Sequence, residues 1–420
     1  MTTATPTRLT RIRHVARESF VRNSALLMAN YVISGLLGFA FWALAARMLP
    51  ADTVGTVSAL VAGLGFAAAA AGVGMPNTVV RFLHAEPDQR SFVLAAVGLV
   101  GATSLVVATA IVTVPGGLGL PLGPTSRLLV VALVVAMAVG PVVDAVIVGF
   151  RVTGSIVVKN ALAGAVRIAA LPLLALAGVD QHDGLMWALL VSTALAAVIS
   201  FTVGLRQTRS LPDDERARHP FAALAGKITF SGGNYASMLV SIAPLAFTPI
   251  VAVALLGPAA GAFTTAALLL VSALNAIPTT ISQSLFAELS TKVHDTRVIV
   301  RRALRGTYTL VAPAVGIVVV IAPFVLAVFG PEYTAATWCL RLMALGSLLG
   351  AFNYVADVVI NAAGRIVAFT AVNTVGSAVV LAATVVGATH SLTGLGLGWL
   401  VGQGCYSLLA GAALLSGRTS

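Results

Sequence analysis

Twelve long apolar runs decide what this chain can fold into. They lie at about 26–45, 54–74, 92–114, 128–150, 155–178 and 184–205. After a polar gap they resume at 228–256, 260–286, 307–329, 338–360, 365–387 and 392–415. Each approaches or exceeds the ~20 residues a helix needs to cross a hydrocarbon core. The runs are too long for strands and lack the alternation of a lipid-facing barrel. Composition agrees: 58% of the 420 residues are hydrophobic and 9% charged, against roughly 25% charged in a soluble protein. The expected fold is an all-α polytopic membrane protein with about twelve transmembrane helices. Little remains for a soluble catalytic domain.

The net charge of +11 would suggest nucleic acid as a partner of a soluble protein. Here most basic residues fall between apolar runs, without interleaved aromatics, so they speak for topology and not for nucleic acid. Arg8, Arg11, Arg13, Arg17 and Arg22 precede the first run. Arg81 and Arg90 follow the second, Arg206 to Lys227 the sixth, and Lys292, Arg297, Arg301, Arg302 and Arg305 the eighth. The odd-numbered connections hold only Arg47 and Arg127. This bias places both termini in the cytoplasm, with the chain in the cytoplasmic membrane. No cleavable signal peptide is read at the start. Leu9, Ile12, Ala16 and Phe20 recur at helical spacing beside arginines, which fits an amphipathic helix on the inner leaflet. The two cysteines and six histidines form no metal-ligand spacing. No metal, cofactor or catalytic motif is expected, and an enzyme is disfavoured.

The chain divides into a basic tail (1–22), a six-span unit (23–205), a polar linker (206–227) and a second six-span unit (228–420). The units look related. Asp144 lies near the end of span four and Asp357 near the end of span ten; Asn160 and Asn373 each follow their acid by 16 residues. Asn30-Tyr31 in span one matches Asn234-Tyr235 in span seven. An even number of spans per unit makes the two lobes parallel, related by an axis along the membrane normal, a layout of alternating-access transporters.

Ionisable residues inside spans cost at least about 2.5–3.5 kcal/mol, so function is sought there: Asp144, Lys159, Arg167, Arg341 and Asp357. Arg341 is near the outer end of its span and can snorkel. At 1.5 Å per residue, Lys159, Asn160 and Asp144 share a depth of roughly 6–9 Å, while Arg167 lies roughly 18 Å deep. Arg167 thus lacks an obvious acid in its own half. Asn160 shares its helix face. In the repeat register Lys159 corresponds to Val372 and Arg167 to Val380, so the cations occur in one lobe only. Arg167, Lys159 and Asn160 are therefore candidates for binding an anion in a hydrated cavity. Asp144 and Asp357 are either structural or coupling groups. Asn30, Asn234, Asn275, Asn353 and Asn373 either bond between helices or line the cavity.

The segment N-S-A-L-L-M-A-N-Y at 23–31, followed by A-R-M-L-P-A-D-T-V-G at 46–55, resembles the start of polysaccharide-biosynthesis flippases. These belong to the multidrug/oligosaccharidyl-lipid/polysaccharide exporter superfamily. The family's turn is matched by Arg47, Leu49, Pro50 and Gly55. The resemblance implies transfer of a polyprenyl-pyrophosphate-linked oligosaccharide between leaflets by alternating access, with Arg167 and Lys159 on the diphosphate. It also implies membrane lipids and a glycan polymerase or assembly machinery as partners. The alternative within the superfamily is an exporter of drugs or secondary metabolites. Cation-coupled members carry an acid in an early span of a lobe, and spans one and seven have none.

Overall fold

The computed structural model describes residues 8–114, 123–209, 224, 227–289 and 296–416. Among them the chain forms thirteen α-helices and no strand. The first lobe holds α1 (Arg8–Met48), α2 (Ala51–Ala71), the short α3 (Met75–Phe82), α4 (Gln89–Thr113), α5 (Pro124–Gly149), α6 (Thr153–Leu176) and α7 (Gln181–Gln207). The second holds α8 (Ile228–Leu256), α9 (Pro258–Leu289), α10 (Thr296–Ala327), α11 (Thr337–Ala362), α12 (Ile366–Ala388) and α13 (Leu392–Ser416). All but α3 contain a stretch long and apolar enough to span a membrane, twelve in all. This is a multi-pass membrane protein, and its spans match the twelve apolar runs to within a few residues, α10 excepted.

The lobes repeat one packing scheme. In the first, α6 packs on α1 and α7, and α5 on α4 and α7; in the second, α12 packs on α8 and α13, and α11 on α10 and α13. The hairpins joining α5 to α6 and α11 to α12 are the same turn. Val152 N donates to Ile147 O at 3.1 Å, and Arg365 N donates to Ile360 O at 3.2 Å. Both turns need one residue in the left-handed region, Arg151 (φ 58°) and Gly364 (φ 73°). Glycine adopts that conformation freely and arginine at a cost of ~1 kcal/mol. All three pairs differ by 213 positions, the offset that relates Asp144 to Asp357.

Between lobes, α2 packs along α8 and α9, while α1 barely touches α9. Helix α1 buries Phe41, Ala43, Ala45 and Ala46 near its end, but is exposed further back at Tyr31, Val32 and Leu36. Two features differ from the sequence expectation. Helix α10 starts eleven residues before the run at 307, so Arg297, Arg301, Arg302 and Arg305 stand on helix turns instead of in a loop. Helix α1 runs unbroken from Arg8, through the boundary drawn at 22/23. The side chains of its first five turns (8–25), among them Leu9, Ile12, Ala16 and Phe20, and nearly all of the 206–227 linker beyond Arg209 lie outside the described residues, as does the side chain of Asn234.

Candidate functional site

A cavity of about 330 Å³ lies within the first lobe between α1, α5, α6 and α7. It exists because these helices present small residues to one another. Gly38, Gly140, Ala163, Gly164, Ala196 and Ala197 all border it. Pro141 in α5 also frees a carbonyl one turn earlier. The polar lining is Ser34, Asp144, Lys159, Asn160, Arg167, Ser192 and Thr193. Four residues singled out from sequence are thus brought together: Asp144, Lys159, Asn160 and Arg167.

Their charges are not equivalent. Lys159, only 3% exposed, places Nζ 2.7 Å from Asp144 Oδ1 and 2.8 Å from Oδ2. Ser200 on α7 donates to Oδ1 at 2.6 Å. This acid and this lysine neutralise each other. Asn160 Nδ2 donates to Asn30 Oδ1 at 2.8 Å and ties α6 to α1. Ser34, one turn beyond Asn30, keeps a buried hydroxyl without a partner.

Arg167 stands apart. Its Nε donates to Ser192 Oγ at 2.9 Å, and that hydroxyl donates to Leu189 O at 2.9 Å. The guanidinium carbon lies 5.6 Å from the centroid of the Phe41 ring. Of the five N–H donors of an arginine, one is engaged among the described residues. Among the described residues no carboxylate pairs with it. The cavity therefore carries one uncompensated positive charge, half-buried, with both terminal nitrogens free to meet an oxyanion.

The second lobe is built differently around its own acid. Asn373 Nδ2 donates to Asp357 Oδ1 at 3.2 Å. The Tyr406 hydroxyl sits 3.4 Å from Oδ2 and 3.0 Å from Asn373 Oδ1. Asn353, one turn along α11, donates to Gln403 at 3.3 Å, and its own oxygen is buried without a partner. No cation reaches Asp357 among the described residues. Val372 and Val380 replace Lys159 and Arg167 and are buried in the packing. Arg341 lies in neither site. It donates to Val319 O at 3.0 Å and stacks on Trp338.

Sequence reasoning did not single out Ser34, Ser192, Thr193, Ser200, Gln403 or Tyr406. Ser192 was within reach of depth arithmetic: Arg167 is nine residues before the end of α6, and Ser192 eleven after the start of α7. The others depend on which faces meet.

No protein-family model and no curated protein matches the chain. Solved structures do. An inward-facing multidrug resistance MATE-family transporter of the MOP superfamily superimposes with a TM-score of 0.68 at 15% identity, over 93% of this chain and 97% of the other. An outward-facing structure, likewise described as a multidrug resistance MATE-family transporter, gives 0.66 at 15%, over 96% and 95%. A MOP superfamily transporter from Pyrococcus furiosus, described as having a binding pocket of reverse polarity, gives 0.66 at 16%, over 96% and 95%. The chain has the MATE fold. With this fold come two lobes of six spanning helices, matching the repeat traced above. At these identities the likeness carries the architecture alone.

Proposed function

We propose that the protein is an alternating-access transporter whose arginine-rich end faces the cytoplasm. Its cargo carries an anionic headgroup, and the best candidate is a polyprenyl-pyrophosphate-linked oligosaccharide moved from the inner to the outer leaflet. The observation that carries this reading is Arg167. An uncompensated guanidinium at this depth is costly and is best used by an oxyanion that accepts both of its free edges. Lys159, balanced by both oxygens of Asp144, preserves the shape of the site and has one hydrogen left to share. Asn160 and Ser34 offer further polar contacts. About 330 Å³ is roughly eleven water volumes, room for a diphosphate, with the glycan in the space between lobes and the lipid tail in the bilayer. Helix α1, exposed toward the arginine-rich end, fits a state closed to the outside.

The likeness of this chain to structures described as multidrug resistance MATE-family transporters supports a second reading, export of a drug or secondary metabolite. Arg167 favours anionic cargo in that case too, since it repels an organic cation. The two readings separate in lipid extracts of a strain lacking the gene and any redundant flippase. Accumulation of polyprenyl-pyrophosphate oligosaccharides, reversed by the wild type and not by Arg167→Ala, is expected. Reversal by both would dismiss Arg167 as the anion site. An unchanged lipid pool would favour the exporter.

A further inference from the structure

The amino-terminal turns of α10 carry Arg297, Arg301, Arg302 and Arg305 with no acid in the first turn. Neither the transport cavity nor the lobe interface uses them. Arg297 is engaged in a contact of its own. Arg301, Arg302 and Arg305 are exposed, and among the described residues none has a carboxylate partner. The opposite side of these turns is anchored: Ile299 is buried with Leu285 of α9 and Val355 of α11, and Val300, Ala303 and Leu304 pack around them. The arginines are therefore displayed from a fixed surface.

Their depth and direction can be read from the helix. The 32 residues of α10 extend about 48 Å, roughly 18 Å more than a hydrocarbon core of ~30 Å. With Ala327 at the far edge of the core, about 20 residues carry the helix across. Arg305, Arg302 and Arg301 then emerge in the headgroup layer. Arg302 precedes Val320 by 18 residues, five full turns, and so lies on the same line of the helix; Arg305 lies about 60° from that line. Val320 and Phe324 are among the most exposed apolar residues of α10, at 69% and 75%, and face lipid in a spanning helix. The arginine face continues this lipid-facing stripe.

We infer that Arg301, Arg302 and Arg305 form a binding site for an anionic phospholipid headgroup in the leaflet at the arginine-rich end. The site lies outside the cavity and holds whatever the transported cargo is. Headgroup phosphate supplies acceptors that the described residues do not, and each arginine near an anionic surface strengthens the attraction severalfold.

The test uses the purified full chain in a neutral detergent, with dioleoyl phosphatidylglycerol and dioleoyl phosphatidylcholine titrated in parallel and adducts counted by native mass spectrometry. Phosphatidylglycerol is expected to bind about tenfold more tightly than phosphatidylcholine. The triple change Arg301→Gln, Arg302→Gln, Arg305→Gln removes that preference, and the triple change to lysine keeps most of it. Should the triple glutamine variant fail to insert, Arg302→Gln alone is expected to weaken phosphatidylglycerol about threefold. Equal binding of the two lipids to the wild type overturns the site, as does an unchanged preference in the glutamine variant used. Displacement of phosphatidylglycerol by excess inorganic phosphate would identify a free-anion site instead.

Discussion

Lys159 and Arg167 are both cations of α6, eight residues apart, yet their surroundings assign them different work. Lys159 is held by both oxygens of Asp144, whereas Arg167 meets a hydroxyl and an aromatic face. Removing one member of a fully buried ion pair costs about 3–5 kcal/mol because the other charge is stranded. Asp144 borders the cavity and its side chain is 32% exposed, so Lys159→Met should cost less, about 1–3 kcal/mol. Adding Asp144→Asn removes the stranded charge and should recover most of that loss, read as thermal unfolding in detergent. Anion binding in the double variant should stay within severalfold of wild type, while Arg167→Ala loses it. A double variant as deficient as Arg167→Ala would make Lys159 the principal anion ligand.

Helix pairs show what the residues alone do not. The number of spans and the two-unit repeat were legible because lipid demands long apolar runs and duplication leaves a constant offset. The Asp144–Lys159 match was legible because a tight hairpin equalises depth. Ser192 and Ser200 against α6 and α5, or Tyr406 against Asp357, were not, since hydroxyls are common in spans and their partners depend on helix rotation. The basic turns of α10 read as a loop because hydropathy ends where arginine begins, although the backbone helix continues. Contact between α2 and α9 was equally hidden, and it rests on glycine. A Cβ on Gly55 would lie 1.8 Å from Pro258 O and 2.8 Å from Ala262 N, both backbone atoms. Gly55→Ala must therefore push these helices apart. Ser58, buried one turn further along and bonded by Thr265, reports the gap. In a Cys405→Ser background, Ser58→Cys should react severalfold faster with a thiol reagent applied from the arginine-poor side when Gly55→Ala is present. Equal rates would mean that the helices absorb the methyl without parting.

At the scale of the molecule the two lobes are copies in packing but not in charge or in how they meet. The motif that carried the family resemblance, Arg47 to Gly55, turns out to stand at their junction. Arg47 Nε donates to Val328 O at 2.9 Å and Nη2 to Ala327 O at 2.8 Å, so one fork grips the last carbonyl of α10 and the one just after it, in the opposite lobe. Those carbonyls have no partner within their own helix. Beside the fork, Phe39 meets Phe329 edge-on, Phe329 stacks on Tyr333, and Tyr333 meets Phe263. This cluster and the Gly55 contact close the arginine-poor end. In the alternating-access cycle proposed above they would break each time the cavity opens there, so their strength would set the balance between states. The Arg47 fork is exposed, and its loss should weaken closure by about 1–2 kcal/mol, a shift of roughly five- to thirtyfold in the ratio of closed to open forms. Spin labels at Asp52→Cys and Glu332→Cys, on opposite lobes at that end, should show Arg47→Ala moving the distance distribution toward longer separations. Arg47→Lys should fall between, because an ammonium cannot grip two carbonyls as a planar fork does. An unchanged distribution in Arg47→Ala would place closure on the aromatic cluster and the glycine contact alone.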